Sequence, residues 1–154
     1  MQWRKTMRGI SFKVDDRDEH ILWTILRGIE IENLWWHISE DEVYNDINES
    51  IFKNSYIKGE GFLEIIQEKS YTVISANIKA YPPNSVPNHI ENYDEFIKSK
   101  CKIVILCSDV FYYEIYVDDS SVIETLKSNV IKGNISDLEY ITEENDARTS
   151  FSVI

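Results

Sequence analysis

The stretch NLWWHISEDEVYND, residues 33–46, gathers the side chains of this chain that are best suited to chemistry. An imidazole beside carboxylates can transfer protons or bind a cation, so the composition of the stretch permits either role. No Lys or Arg interrupts it. The polar and aromatic residues that could act are Trp35, His37, Glu40, Asp41, Glu42, Tyr44 and Asp46.

The pattern of apolar residues predicts that strands position this set. Residues 34–38 form a strand-like run, and residues 43–44 suggest a second short strand, so we predict a hairpin around the turn SEDE. Successive side chains of a strand point to opposite faces. Trp36 therefore belongs to the core face, whereas Trp35 and His37 lie on the outer face, beside the acids, if nothing covers them.

The sequence contains no motif for catalysis or cofactor binding. Its three histidines and two cysteines never fall at zinc-ligand spacing. The acidic stretch lacks the central glycine of an EF-hand, and GxSxG does not occur. KGEGF, residues 58–62, precedes a predicted helix, but a P-loop needs a longer loop that ends in GK[ST]. We therefore predict no catalytic residues, no metal and no cofactor.

Charge is distributed unevenly along the chain. The net charge is −11, which argues against nucleic acid as a ligand because that affinity comes mainly from Lys and Arg. Residues 28–52 contain seven acids and no Lys or Arg. This segment is either solvated surface or a patch that steers a basic, toxin-like protein partner. The seven acids are Glu30, Glu32, Glu40, Asp41, Glu42, Asp46 and Glu49.

A second aromatic stretch, VFYYEIYV, offers another surface. One face of this predicted strand is apolar, and the other presents Tyr112, Glu114 and Tyr116. The second face is either half covered or an exposed tyrosine stripe of the kind found at interfaces. Together with the acidic stretch, it gives the predicted partner-binding set: Trp35, His37, Glu40, Asp41, Glu42, Tyr44, Asp46, Tyr112 and Tyr116.

Two alternatives remain open from the residues alone. The first is a small-ligand-binding or enzymatic domain with a pocket between helices and sheet, for which His37, Asp41 and Tyr44 are the residues to test. The second is a domain that self-associates through the tyrosine strand and the C-terminal hairpin. The sequence predicts no oligomeric state.

Composition and patterning predict a single soluble domain. With 43% hydrophobic and 28% charged residues, the chain is typical of globular proteins. No apolar run is long enough for a membrane span, and the start lacks the apolar core of a signal peptide. We therefore expect a cytoplasmic protein that does not bind membranes. The domain is predicted over residues 7–154, with residues 1–6 as an extended start or a cloning remnant.

The remaining patterns define the fold class. Strand patterns occur at residues 7–14, 70–81, 101–107 and 110–117, and helical patterns begin near residues 17, 60, 92 and 121. A final hairpin is predicted from LEYI, residues 138–141, and TSFSVI, residues 149–154. About four helices and seven or eight strands, mostly joined as hairpins, predict an α+β domain with a mixed, mainly antiparallel sheet.

The predicted final hairpin turns at TEENDAR. Asn145 and Asp146 suit a turn because their short side chains bond nearby backbone. Arg148 is the only basic residue after Lys132. It is either fully solvated or paired with carboxylates that hold the turn, and we predict the paired arrangement.

Two stretches resemble a known family. MRGISF at residues 7–12 and EYITEENDARTSFSV at residues 139–153 are similar to the ends of a family of small uncharacterised proteins of Gram-positive bacteria, filed as a domain of unknown function. The helix of residues 17–28 and YDEF at residues 93–96 are also similar. The resemblance implies no settled activity. Small acidic proteins of this kind often serve as immunity proteins beside secreted toxins, so it favours a non-enzymatic, immunity-like role.

Overall fold

A computed structural model describes residues 7–68 and 70–154 of the protein. The prediction for residues 1–6 lies outside the described residues. Within them, seven strands and four α-helices form a single compact domain. The strands are β1 (Met7–Val14), β2 (Trp35–Tyr44), β3 (Tyr56–Lys58), β4 (Thr72–Tyr81), β5 (Ile103–Ser108), β6 (Tyr112–Val117) and β7 (Ile135–Thr142). The helices are α1 (Ile21–Leu26), α2 (Gly59–Glu68), α3 (Tyr93–Lys98) and α4 (Ser121–Ile131), and a 3-10 turn spans Ile31–Asn33.

The strands form one sheet in the order β3-β2-β4-β5-β6-β1-β7. Every ladder between the described strands is antiparallel. β5 lies at the centre and is buried on both faces, as its continuous apolar run predicts. The predicted α+β class is therefore confirmed. None of the helices in residues 7–68 and 70–154 is long and apolar enough to cross a membrane.

The first face of the sheet packs against α1, α2 and α4. Trp36 is fully buried there, and its ring stacks on that of Phe62 with centroids 4.3 Å apart. Its Nε1–H donates to the carbonyl of Ile31 at 3.1 Å, so the buried indole has its hydrogen bond. Gly59 starts α2 against the 3-10 turn, where a Cβ would collide with the carbonyl oxygens of Ile31 and Glu32. These contacts fix the β2 end of the sheet against α2.

The second face is covered by α3 and by residues 147–154, which we call the C-terminal segment. Phe151 is 4% exposed and packs on Tyr116 with ring centroids 4.6 Å apart. The backbone N–H of Phe151 donates to the carbonyl of Glu91 at 2.6 Å. The predicted strand at residues 149–154 is wrong, because this segment crosses the sheet face and forms no ladder with β7.

β2 is one continuous strand, so the predicted hairpin around SEDE is also wrong. Two residues of β2 oppose one of β4 between the pairs Ser39–Asn77 and Glu42–Ser75, which is a β-bulge. Glu40 lies in the bulge with φ of 48°. The bulge accommodates the acids inside the strand and turns the Glu40 side chain toward the second face, where it meets the C-terminal segment.

Candidate functional site

Trp35 lies half-buried on the second face, at the end of the sheet near β3. Its ring meets that of Tyr56 edge-on, with centroids 5.6 Å apart. The Lys58 ammonium lies 5.5 Å from the centre of the indole. Trp35 therefore forms part of an aromatic wall instead of standing free on an open surface.

His37 is paired across the ladder with Lys79 of β4. Its Nδ1 is buried and has no hydrogen-bond partner among the described residues. Burial, followed by the charge of Lys79, lowers the pKa of His37. The ring is therefore neutral over a wider pH range than an exposed imidazole.

Glu40 is held inside the protein by side-chain and backbone donors. Its carboxylate accepts hydrogen bonds from Asn77 Nδ2 at 3.0 Å, from Ser152 Oγ at 2.7 Å and from the N–H of Val153 at 3.0 Å. Burial acts to raise the pKa of Glu40, but these hydrogen bonds outweigh it and lower the pKa. Glu40 was predicted to contact a partner, but its carboxylate already binds the C-terminal segment.

The other acidic-stretch residues lie in separate places. Glu42 and Asp46 are exposed, and Asp46 comes within 3.8 Å of the Arg17 guanidinium. Asp41 and Tyr44 are half-buried. His37 and Tyr44 lie seven positions apart in one strand, or about 20 Å. The trio chosen for the pocket alternative, His37, Asp41 and Tyr44, does not converge on one site.

The predicted tyrosine stripe is interrupted. Tyr112 is 50% exposed, but Tyr116 is fully buried beneath Phe151. The Tyr116 hydroxyl donates to Asp146 Oδ1 at 3.0 Å. Of the two alternatives for this face, the structure shows the covered one at Tyr116, because the C-terminal segment lies across it.

The turn residues tie the C-terminal segment to the sheet. Asn145 Oδ1 accepts the N–H of Thr142 at 2.8 Å. Asp146 forms an ion pair of 3.0 Å with Arg8 of β1. Arg148 Nε and Nη2 both donate to Glu114 Oε1, at 3.0 and 2.7 Å. The guanidinium thus pairs with a carboxylate of β6 and not with the acids nearby in the chain.

A groove of about 460 Å³ opens on another part of the molecule, where the end of α1 and the start of α4 meet β5 and β6. Apolar side chains form part of its lining: Ile29, Leu34, Ile103 and Val122. Acids occupy its rim: Glu30, Asp118 and Asp119. The single base in the lining, Lys102, pairs with Asp118 at 3.0 Å. We call this feature the acidic groove.

Sequence reasoning missed the acidic groove because its residues come from three segments that are far apart in the chain, residues 28–34, 102–103 and 118–125. The only signal was Glu30, which belongs to the acid-rich residues 28–52. Further exposed acids lie on α2. Glu60, Glu64 and Glu68 are exposed and lie four residues apart on α2, so they share one side of the helix. This helix begins on the 3-10 turn that contains Glu32.

The described residues contain neither a cluster of metal ligands nor an exposed thiol. No three His, Cys, Asp or Glu side chains of residues 7–68 and 70–154 come together as a metal site. Cys101 and Cys107 are buried, and burial raises the pKa of each thiol to about 12. Both thiols are therefore protonated and poor nucleophiles near neutral pH.

Comparison with known proteins places the chain in a family. A family model described as "Protein of unknown function (DUF2691)" matches residues 7–152. The chain belongs to this family. The uncharacterized protein YncE of Bacillus subtilis (strain 168) is 31% identical over 151 residues, which cover 95% of this chain and 99% of that protein. No solved structure gives a significant match.

The DUF2691 match confirms the resemblance drawn from MRGISF and from the C-terminal stretch EYITEENDARTSFSV. Neither the family description nor the name of the Bacillus subtilis relative gives an activity, a substrate or a partner.

Proposed function

We propose that this DUF2691 protein is a non-enzymatic, cytoplasmic protein-binding module of the immunity or antitoxin type, which holds a basic protein partner at the acidic groove. One observation supports this choice above the others. The groove combines an apolar lining with an acidic rim. An apolar recess can bury an anchoring side chain of the partner, while the charged rim orients the partner as it arrives.

The charge of the whole molecule supports a basic partner. The net charge is −11, and the exposed glutamates of α2 extend the negative surface from the 3-10 turn. A field of one sign raises association rates by roughly 10- to 1000-fold and is screened by salt. We expect binding through the groove to be fast at low ionic strength and slower at high ionic strength.

The competing contact surface is the exposed part of β2 and the loop after it, where Glu42 and Asp46 lie. This surface retains the contact role predicted from the sequence. It differs from the groove in that the aromatic residue predicted to accompany it, Trp35, lies at the opposite end of β2 and packs against Tyr56. If the partner binds at the groove, it needs the groove acids Glu30 and Asp118. If it binds at β2, it needs Glu42 and Asp46.

Matched charge reversals separate these surfaces. The groove variant is Glu30→Lys with Asp118→Lys, and the β2 variant is Glu42→Lys with Asp46→Lys. Each double variant replaces two acids by two bases, so both have the same net charge. All four positions are exposed, and the Asp118 pair with Lys102 is a surface ion pair, so we expect both variants to fold.

The experiment is affinity capture from the native host with wild type and both variants, followed by mass spectrometry. We expect the wild type and the β2 variant to capture the same basic protein, and the groove variant to lose it. Equal capture by all three would overturn the groove as the contact site. Loss only in the β2 variant would assign the contact to β2. No specific capture by the wild type, together with turnover of a metabolite, would refute the protein-binding function itself.

A further inference from the structure

Lys79 is a buried cation on the second face of the sheet. It is 5% exposed, and its Nζ donates to Asn77 Oδ1 at 2.7 Å. No carboxylate oxygen of the described residues lies within 4.0 Å of this nitrogen. A buried charge without a paired countercharge is costly. Lys79 thus has the local properties of a group that awaits an anionic partner.

The charge of Glu40 acts to raise the pKa of Lys79, but no acidic group of the described residues lies in direct contact with the Lys79 ammonium. Glu40 accepts hydrogen bonds from Asn77, Ser152 and the backbone of Val153. The Cys101 thiol is buried, and its pKa is raised to about 12, so it is uncharged near neutral pH. Neither group forms an ion pair with the Lys79 ammonium.

His37 presents a second unsatisfied group at the same place. It opposes Lys79 directly in the antiparallel ladder between β2 and β4. Side chains at directly opposed positions lie on one face, with Cβ atoms about 5 Å apart. The Nδ1 of His37 is buried and lacks a partner among the described residues. One small acceptor could contact both Lys79 Nζ and His37 Nδ1.

Aromatic side chains lie beside His37 on the second face of the sheet. Tyr56 meets the rings of Trp35, His37 and Tyr81 at centroid distances of 5.6, 6.2 and 6.4 Å. The outer residues Trp35, His37 and Tyr56 are partly exposed, whereas Tyr81 and Lys79 are buried. His37 therefore lies nearer to solvent than Lys79 does.

We propose that a small oxyanion, the carboxylate or phosphate group of a ligand, binds between Lys79 and His37 on the second face of the sheet. The ligand provides the countercharge that Lys79 lacks and an acceptor for a protonated His37 Nδ1. The aromatic wall of Trp35 and Tyr56 contacts any apolar portion of the ligand. This site is separate from the acidic groove and does not depend on the function proposed for it.

Electrostatics predicts how pH affects the site. Burial lowers the pKa of Lys79 more than the neighbouring Cys101 and Glu40 raise it. Burial and then the charge of Lys79 lower the pKa of His37. A bound anion stabilises the protonated form of each group and raises both pKa values. Binding is therefore coupled to proton uptake, and we expect affinity to increase as the pH falls through the range in which His37 takes up its proton.

The test is a titration of the full chain with sodium acetate and, separately, with sodium phosphate, at constant ionic strength set by sodium chloride. The ring nitrogens of His37 are followed by ¹H–¹⁵N NMR. We expect a saturable shift at His37 Nδ1 with at least one of the two anions. In Lys79→Met the affinity should fall at least about tenfold, the usual effect of losing a charged hydrogen bond. Lys132→Met removes an exposed lysine that belongs to neither proposed site and should leave the affinity unchanged.

A second variant keeps the proposal falsifiable if Lys79→Met does not fold. His37→Phe retains a ring against Tyr56 and removes both nitrogens. We expect bound anion to raise the melting temperature of the wild type and not that of His37→Phe. A shift with acetate alone assigns a carboxylate ligand, and one with phosphate alone assigns a phosphate ligand. If neither anion gives a saturable shift, or if Lys79→Met binds as tightly as the wild type, the proposed site does not exist.

Discussion

The side-chain amide of Asn77 donates a hydrogen bond of 2.8 Å to the backbone carbonyl of Phe151. Asn77 is 3% exposed at the middle of β4, and the same Nδ2 also donates to Glu40 at 3.0 Å. This buried amide joins the sheet, the β2 bulge and the C-terminal segment. The segment is therefore an integral part of the second core and not a surface tail.

Removing the Phe151 ring tests that conclusion. Phe151 is 4% exposed and packs on Tyr116 and Phe96. We expect Phe151→Ala to reduce the free energy of unfolding by about 3–5 kcal/mol, the usual cost of deleting a buried phenyl ring. Urea denaturation measures it. Ile154→Ala is the control, because Ile154 is 91% exposed, and its effect should be within about 0.5 kcal/mol. Equal effects of the two variants would mean that the segment does not pack on the sheet.

Glu40 allows the backbone and side-chain contributions at the bulge to be separated. Its φ of 48° is left-handed, a conformation that glycine adopts without strain. We expect Glu40→Ala to destabilise the protein by about 2 kcal/mol, because it removes charged hydrogen bonds. Glu40→Gly should cost about 1 kcal/mol less than Glu40→Ala, since it relieves the strained φ. Chemical denaturation of both variants would contradict this account if glycine were the more destabilising substitution.

The pH dependence of stability follows from the same groups. The pKa of Glu40 is below its ordinary 4.5 in the folded protein. Its contribution is therefore complete above pH 4.5 and is lost as the pH falls through the folded pKa. The pKa of His37 is below 6.5, so the folded state should lose stability as the pH falls below 6.5.

Substitutions of Glu40 and His37 test whether these residues cause the two losses of stability. Glu40→Gln should flatten the loss of stability below pH 4.5, and His37→Phe should flatten the loss that begins near pH 6.5. Thermal melts between pH 3 and pH 8 measure both losses of stability. These limits lie about 1.5 pH units outside the ordinary pKa values of glutamate and histidine. An unchanged profile in either variant would show that the corresponding group does not titrate differently on folding.

Arg148 tests the electrostatic link between the C-terminal segment and β6. Its side chain is 18% exposed and also donates through Nη1 to the carbonyls of Ser150 and Ser152. We expect Arg148→Ala to cost about 2 kcal/mol, more than a solvated arginine would. Arg148→Lys should restore less than half, since an ammonium cannot replace the guanidinium's directed donors. Urea denaturation measures both substitutions.

Arg17→Ala is the matched control for Arg148→Ala. The Arg17 side chain is 48% exposed, and its guanidinium lies 3.8 Å from Asp46. We expect Arg17→Ala to change stability by less than about 0.5 kcal/mol. If Arg148→Ala unfolds like the wild type but weakens partner binding, Arg148 belongs to a binding site and not to the scaffold.

Local sequence patterns predicted most of the fold. Alternation in MRGISFKV defined β1, and the continuous apolar run before Cys107 predicted the doubly buried central strand. The hairpin at SEDE was wrong because a bulge lets β2 continue through four polar residues, and a bulge depends on the partner strand. TSFSVI alternates like a strand, yet the partners of Phe151 are Glu91 and Asn77, which lie far away in the chain.

The candidate sites were less predictable than the fold. Lys79 gave no signal in SYTVISANIKAY, since lysine in a strand is ordinarily exposed. Lys79 donates to Asn77, which in turn donates to Phe151 of the C-terminal segment, so its environment depends on residues far away in the chain. The acidic groove depends on how Leu34 and Val122 approach each other in the folded chain. Neither arrangement follows from the spacing of residues within one segment.

The central claim, that the acidic groove receives a basic protein, is tested most directly by the association rate constant of the captured partner. It is measured by stopped-flow for the wild type, the groove variant Glu30→Lys with Asp118→Lys, and the β2 variant Glu42→Lys with Asp46→Lys. We predict that the groove variant associates at least about tenfold more slowly, that the β2 variant changes much less, and that added salt slows the wild type toward the groove variant. Equal rate constants for the two variants at every salt concentration would contradict the claim.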